Sequence, residues 1–231
     1  MTDTDTDTDL PVYDAERIPT PDRSGDAAPS VVGVLLAAGT SSRFGDANKL
    51  LAELDGRPLV RHAARTLLDA DLAAVVAVVG WEAGAVRDAL GDAAVRVVEN
   101  PDYADGLASS VARGVEAAAD LDADAAVFLP GDMPTVASST VRRLVDAYRA
   151  DVGTALAAAH DGVRGNPVLF DRAHFDSLRR VDGDVGGRAV LRGSDAAALV
   201  DVGDAGVVVD VDTPQDLTRA ADADRDAETN G

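Results

Sequence analysis

The sequence predicts an α/β chain with a parallel, doubly wound sheet, on three observations. Residues 31–38 form an uncharged, β-branched-rich run of the kind buried on both faces of a parallel sheet. Comparable runs recur at 73–80, 95–98 and 125–129, with stretches at helical spacing between the first of them, so strand and helix alternate and right-handed crossovers follow. The first run opens at its carboxyl end into a loop of small hydroxyl residues and cations, and that edge is where an open α/β sheet holds its ligands.

In chain order, residues 1–29 begin MTDTDTDTD, carry Pro11, Pro19, Pro21 and Pro29 and have little apolar content, which predicts a disordered acidic arm. The arm lacks a basic start and an apolar segment, so no signal peptide is expected. A folded domain is expected over 30–221. After the strand at 31–38 comes Gly39-Thr40-Ser41-Ser42 with Arg43 and Lys49. Residues 58–70 carry Leu59, Val60, Ala63, Ala64, Leu67 and Leu68 at helical spacing. The strand at 73–80, a helix at 83–90 and a strand at 95–98 follow. Trp81, at the end of the second strand, reads as packing rather than as a base-stacking platform.

Gly106 with Ser109 and Ser110 heads a helix running to 119, where exposed N–H donors suit a ribose or base and helix capping suits them equally. The strand at 125–129 ends in Pro130-Gly131-Asp132-Met133-Pro134. An aspartate held there by a glycine and two prolines projects its carboxylate over the carboxyl edge of the sheet, a place for a magnesium that is also bound to substrate phosphates. A helix is expected at 138–150, a strand at 152–159, a turn at 162–167 leading into 168–170, a glycine-rich helix start at 183–188 and a strand at 206–209. Thr213 or Asp212 then caps a helix with Pro214 in its first turn. Asp212 is a second carboxylate at a strand end, able to meet Asp132 across one metal, with Asp210 two residues away. Residues 222–231 read as a disordered tail.

Composition narrows the function. The formal net charge is −20 and the acidic residues are mostly Asp, which argues against a general binder of nucleic acid or of anionic membranes. Of the 21 Lys and Arg residues, Lys49 alone is lysine. Lysine depletion beside a spread acidic excess suggests a halophilic protein. At molar salt the Debye length falls to roughly 3 Å, so the global charge would not repel a polyanion from a local cationic pocket. Lysine survives inside the suspected phosphate loop, where a compact ammonium on a flexible stem can follow a moving phosphoryl charge. The absence of cysteine rules out disulfides, thiolate zinc sites and cysteine nucleophiles. His62, His160 and His174 show no ligand spacing. Apolar runs such as 72–81 reach about half the length of a membrane span, and a cytoplasmic protein is expected.

Six segments, LAAGTSSRFGDANKLL at 36–51, NPDYADGLASS at 100–110, LPGDMP at 129–134, GVRGNPVLF at 162–170, GDVGGR at 183–188 and DVDTPQDL at 210–217, together resemble the nucleotidyltransferases of the molybdenum cofactor cytidylyltransferase type. The resemblance covers about 31–220. It implies a single-domain, Rossmann-like nucleotide-diphospho-sugar transferase fold, with a mostly parallel twisted sheet and helices on both faces. It also implies transfer of a nucleoside monophosphate from its triphosphate to a phosphorylated acceptor, releasing pyrophosphate.

Carried over by position, Arg43 and Lys49 would bind the triphosphate and stabilise the charge of the attack. Leu36, Ala37, Ala38, Gly39, Gly106 and Ser109 would hold the nucleoside, and Asp132 and Asp212 would hold Mg²⁺. Arg164, Asn166, Asp184 and Arg188 would face the acceptor. Ala38, where guanylyltransferase relatives usually carry a second glycine, and the GLASS segment favour CTP. The family default for the acceptor is a molybdopterin phosphate, with a molybdoenzyme or its chaperone as recipient; the alternative is a guanylyl- or other nucleotidyltransferase acting on a different phosphorylated small molecule, as relatives with similar loops do. Phe44 stands where methionine is common and Ala108 where a third serine often sits. No G-x-G-x-x-G follows the first strand, which argues against a dinucleotide oxidoreductase, and no Walker A spacing occurs. A non-catalytic binding protein of this fold would be expected to have lost Lys49, Asp132 or Asp212.

Overall fold

β2 (Val31–Ala37) lies at the centre of the molecule, paired in parallel with β5 (Ala74–Val79) on one side and β7 (Ala125–Pro130) on the other. The computed structural model describes residues 10–19, 28–41, 44–45, 47–183 and 186–220. Alternate residues of β2 enter opposite cores. Val31, Leu35 and Ala37 join one cluster, Val32 and Val34 the other, because successive side chains in a strand point to opposite faces. α1 (Leu59–Leu68), α2 (Ala83–Leu90) and α4 (Ser138–Arg149) cover the first face. α3 (Leu107–Ala119), α5 (Phe175–Leu178) and α6 (Arg188–Arg192) cover the second. Ala, Val and Leu fill both layers, as a chain with eight aromatic residues requires.

The remaining strands are β1 (Val12–Asp14), β6 (Arg96–Glu99), β8 (Ala155–His160), β9 (Val163–Asp171) and β10 (Ala197–Asp201). A short hairpin, β3 (Glu53–Leu54) and β4 (Arg57–Pro58), stands apart from the main sheet. The main sheet has eight strands in the order β1-β10-β8-β9-β7-β2-β5-β6. All its pairings are parallel except those of β9, which runs antiparallel between β8 and β7. The mostly parallel α/β fold with helices on both faces is as expected.

Four local expectations are corrected. The acidic arm contains an ordered strand: Val12, Tyr13 and Asp14 pair in parallel with Leu199, Val200 and Asp201, and Asp14 then accepts the Glu16 N–H to cap a 3₁₀ turn. Residues 163–167 belong to β9 instead of a turn. The glycine and proline that suggested a turn sit where the register against β8 shifts between Ala157 and Ala159, which accommodates a residue without an N–H donor. Residues 205–208 form a 3₁₀ helix and not a strand, because the Asp204 carboxylate accepts the Gly206 N–H at 2.8 Å and closes the turn. β10 lies where no element was expected. Arg43, Asp184 and the tail at 222–231 fall outside the described residues.

Candidate active site

Three backbone connections bring distant segments to the carboxyl edge of β2 and β7. The Gly131 N–H donates to the Leu36 carbonyl at 2.9 Å, so the end of β7 lies against the end of β2. A Cβ at Gly131 would lie 3.2 Å from that same carbonyl oxygen and from Leu50, a tight fit that glycine relieves. One residue further on, the Asp132 carbonyl accepts the Val211 N–H at 2.9 Å. Val211 is fully buried with Leu54 and Leu59, and this anchors 210–212 across the strand ends. Thr213 starts the helix α7 at 214–220: Asp216 Oδ2 accepts the Thr213 N–H at 2.9 Å while Thr213 Oγ1 accepts the Asp216 N–H at 3.3 Å, a reciprocal cap. Asp212, immediately before this cap, is left facing Asp132.

Lys49 reaches the same point from the loop after β2. Asn48 caps a 3₁₀ turn over Lys49–Leu51 by accepting the Leu50 N–H at 3.1 Å, and Ser41 Oγ accepts the Lys49 N–H at 3.1 Å. With its backbone held at two points, Lys49 extends its Nζ to 2.5 Å from Asp132 Oδ2 and 2.6 Å from Asp212 Oδ1. All three side chains are largely shielded from solvent, at 14%, 18% and 19% exposure. Burial alone would lower the Lys49 pKa, but the two carboxylates outweigh it and the ammonium is held above its ordinary value. Asp210 is shifted upward by partial desolvation and by the charges of Asp212 and Asp132. Of the two aspartates that could be set against Asp132, Asp212 is the one paired with Lys49.

This triad sits in a cleft of about 410 Å³. Its floor is Leu36, Ala38, Gly39, Thr40, Ser41 and Leu50 from β2 and the following loop, and its far wall is Tyr103, Ala104, Gly106, Leu107 and Ser110. Asn100 organises that wall: its amide donates to Ser109 Oγ at 2.8 Å and to Ser110 Oγ at 3.1 Å, and its carbonyl accepts the Asp102 N–H. Gly106 has φ 103°, a conformation that favours glycine, at the turn into α3. Tyr103 fits over the floor because Gly80 has no side chain; a Cβ there would lie 2.5 Å from that of Tyr103.

A second cleft of about 760 Å³ adjoins the first and shares Leu36, Leu107 and Pro130 with it. Arg164, Asn166 and Arg188 line it together with Arg192, over a floor that includes Phe128 and Phe170 in edge-to-face contact.

Most of the expected residues thus meet. Leu36, Ala38, Gly39, Gly106, Lys49, Asp132 and Asp212 line the first cleft, and Arg164, Asn166 and Arg188 the second. Two do not take the expected place. Ala37 points into the core, since the strand alternates, and Ser109 spends its hydroxyl on the Gly106 carbonyl at 2.8 Å and on Asn100, leaving Ser110 in the lining. Tyr103, Pro130 and Arg192 were not anticipated. Tyr103 and Pro130 lie inside the quoted segments at 100–110 and 129–134, though neither was assigned a role there, and Arg192 follows Arg188 by four positions, one helical turn. His62 bonds the Leu54 carbonyl at 2.8 Å, His174 bonds Thr154 at 2.9 Å and His160 lies 3.7 Å from Asp161; none lines either cleft.

No group of three or more His, Asp or Glu side chains is assembled as a metal site among the described residues. The donor set nonetheless suits a hard divalent cation that keeps most of its ligands from substrate and water. Two carboxylates converge, and Asp132 Oδ1 is buried with no hydrogen-bond partner, an acceptor that a cation would complete.

Residues 33–202 match the family model described as MobA-like NTP transferase domain. Among curated proteins the chain is 35% identical to nicotine blue oxidoreductase of Paenarthrobacter nicotinovorans, over 83% of this chain and 96% of that protein. It is 26% identical to molybdenum cofactor cytidylyltransferase of Escherichia coli, over 81% of this chain and 93% of that one. Among solved structures, a nucleotidyl transferase from Methanothermobacter thermautotroptrophicus superposes with TM-score 0.72 at 26% identity, covering 84% of this chain and 97% of that one. A manganese complex of Rv0371C from Mycobacterium tuberculosis superposes with TM-score 0.67 at 26% identity, covering 84% and 99%.

Proposed function

Because the chain belongs to the MobA-like NTP transferase family, we propose that it transfers CMP from CTP to a phosphorylated acceptor, a molybdopterin phosphate, with release of pyrophosphate. The observation that carries the proposal is the Lys49 ammonium held between two strand-tip carboxylates, in a cleft that opens onto a second, arginine-lined cleft. One cleft would take the triphosphate and the other its acceptor, so the reacting phosphates meet near Pro130 and Leu107.

In the reaction an acceptor phosphate oxygen attacks the α-phosphorus, the bond to the β-phosphate breaks, and pyrophosphate leaves in line with the attack. Little covalent work falls to the protein; positioning and charge neutralisation dominate. The backbone and small side chains of 38–41 leave room for the nucleotide to lie against the end of β2. Lys49, helped by Arg43, neutralises charge that develops toward the pyrophosphate. Asp132 and Asp212 are the residues that would hold Mg²⁺, which when bound supplies charge neutralisation along the triphosphate. Arg164, Asn166 and Arg188, with Asp184, orient the acceptor. Ala38 in the floor supports cytosine, the smaller base. The product would pass to a molybdoenzyme or its chaperone. Among the described residues no helix is long and apolar enough to cross a membrane.

The 35% identity to a nicotine blue oxidoreductase supports a second reading, an oxidoreductase. The triad favours transfer of a nucleotide, since an ammonium clamped by two carboxylates handles phosphate and cation charge that electron transfer does not use. The deciding experiment offers CTP, GTP, ATP and UTP with a molybdopterin acceptor and measures pyrophosphate, alongside a separate assay of the reduction of nicotine blue by an added hydride donor. Pyrophosphate from CTP is expected. Reduction of nicotine blue at the expense of the hydride donor, without pyrophosphate release, would establish the second reading.

A further inference from the structure

The Lys49 ammonium occupies the gap that a cation bound by both Asp132 and Asp212 would fill. It takes one oxygen from each carboxylate, Asp132 Oδ2 at 2.5 Å and Asp212 Oδ1 at 2.6 Å, and leaves Asp132 Oδ1 buried without a partner. Bridging one oxygen of each carboxylate, the ammonium holds the two aspartates together across the gap. The Lys49 backbone is fixed by Ser41 and by the Asn48 cap, while its four-carbon stem is not. The same cleft contains Gly39, Thr40 and Ser41, so an ammonium that left the carboxylates would have a nucleotide phosphate within the cleft to move to.

We propose that Lys49 is a resident counter-ion: it holds the Asp132–Asp212 pair until a divalent cation arrives together with nucleotide, and it keeps the pair closed to the free cation. The proposal rests on the reading of the cleft as a nucleotide site. A free divalent cation must expel a shielded ammonium that gains nothing in exchange, because an unpaired charge at 14% exposure is poorly solvated. A cation delivered with a triphosphate brings the ammonium's new partner with it, and both cations end neutralised. The side chain best suited to this is lysine, whose compact charge can leave two carboxylates one contact at a time; a guanidinium would grip them as a rigid fork. A need for that exchange gives a physical reason why lysine persists at position 49 in a chain whose other cations are arginine.

The test reads cation binding without turnover. Mn²⁺ titrations of the full chain followed by electron paramagnetic resonance, with no nucleotide present, should show Lys49→Met binding Mn²⁺ at least about tenfold more tightly than wild type. Asp132→Asn in the Lys49→Met background should abolish the gain. Adding CTP should raise the Mn²⁺ affinity of wild type by about tenfold or more. Lys49→Arg should bind Mn²⁺ weakly with or without CTP. As a check that needs no variant, ¹⁵N-lysine-labelled protein has a single lysine ammonium resonance, which should shift with Mg²⁺ plus CTP and stay in place with Mg²⁺ alone. If Mg²⁺ alone shifts it at the same concentration, or if wild type binds Mn²⁺ as tightly as Lys49→Met, the counter-ion role is overturned while the nucleotide site stands. If the resonance moves with neither addition, the nucleotide reading falls as well.

Discussion

Lys49 was visible in the sequence because it is chemically alone: one lysine among arginines, in a loop after a buried strand. Its partners were visible for a different reason, as aspartates at strand tips beside glycine and proline. What the sequence did not reveal was which aspartate of the pair 210 and 212 would face it: Val211, buried and bonded to the Asp132 carbonyl, brings both to the strand ends, and the Lys49 ammonium meets Asp212. Replacing Lys49 with Ala should lower pyrophosphate release by roughly 10²–10³-fold, by analogy with loss of one charge-stabilising donor, with an unchanged circular dichroism spectrum. The raised Lys49 pKa has a definite sign. Its ion pairs contribute stability that is fully present below the ordinary lysine value of 10.5 and is lost as pH rises through the higher folded value. Alkaline melts of wild type and Lys49→Met should therefore converge as pH climbs. For Asp210 the sign is opposite in effect: its raised pKa means that the ionised carboxylate is disfavoured in the folded state, a cost that disappears when acid protonates it. Asp210→Asn should melt higher than wild type at neutral pH, and the two should coincide below pH 3.8, the ordinary Asp value.

At the scale of elements, periodicity and caps carried most of the reading. The helix at 83–90 was expected with the bounds observed, and the ends of the other major helices moved by at most two residues. Segments whose structure depends on distant partners were not legible. β9 contains a glycine and a proline that locally favour a turn, yet β7 and β8 on either side draw it into the sheet. Gly165 in this strand lies against the 3₁₀ helix at 205–208, and a Cβ there would come 2.0 Å from the Val207 carbonyl oxygen. Gly165→Ala should therefore destabilise the protein by about 1–3 kcal/mol in urea denaturation, through displaced backbone. The loop that presents Lys49 depends on a side-chain cap. Asn48→Ala should cost about 1 kcal/mol of stability, and it should also reduce kcat because the Leu50 N–H that orients the turn loses its acceptor.

Across the whole molecule, net charge was read directly, and its expected consequence is a response to salt. Raising NaCl from 0.1 to 1 M contracts the Debye length from about 10 to 3 Å and screens the self-repulsion of a chain of charge −20, so Tm should rise over that range. A flat or falling Tm would remove the halophilic reading. Sheet order was less accessible, because alternating strands and helices specify parallel pairing without saying which strand closes the edge. Here that strand is β1, three residues long, from a segment whose composition suggested no structure.

Leu36, Leu107 and Pro130 line both clefts, so the two adjoin at these residues. On the function proposed above, a bisubstrate compound, cytidine joined to an anionic ring system through a tether of a few atoms, would engage both clefts at once. Its second half would bind at the millimolar effective concentration typical of short linkers, making such a molecule a tight inhibitor assembled from two weak fragments.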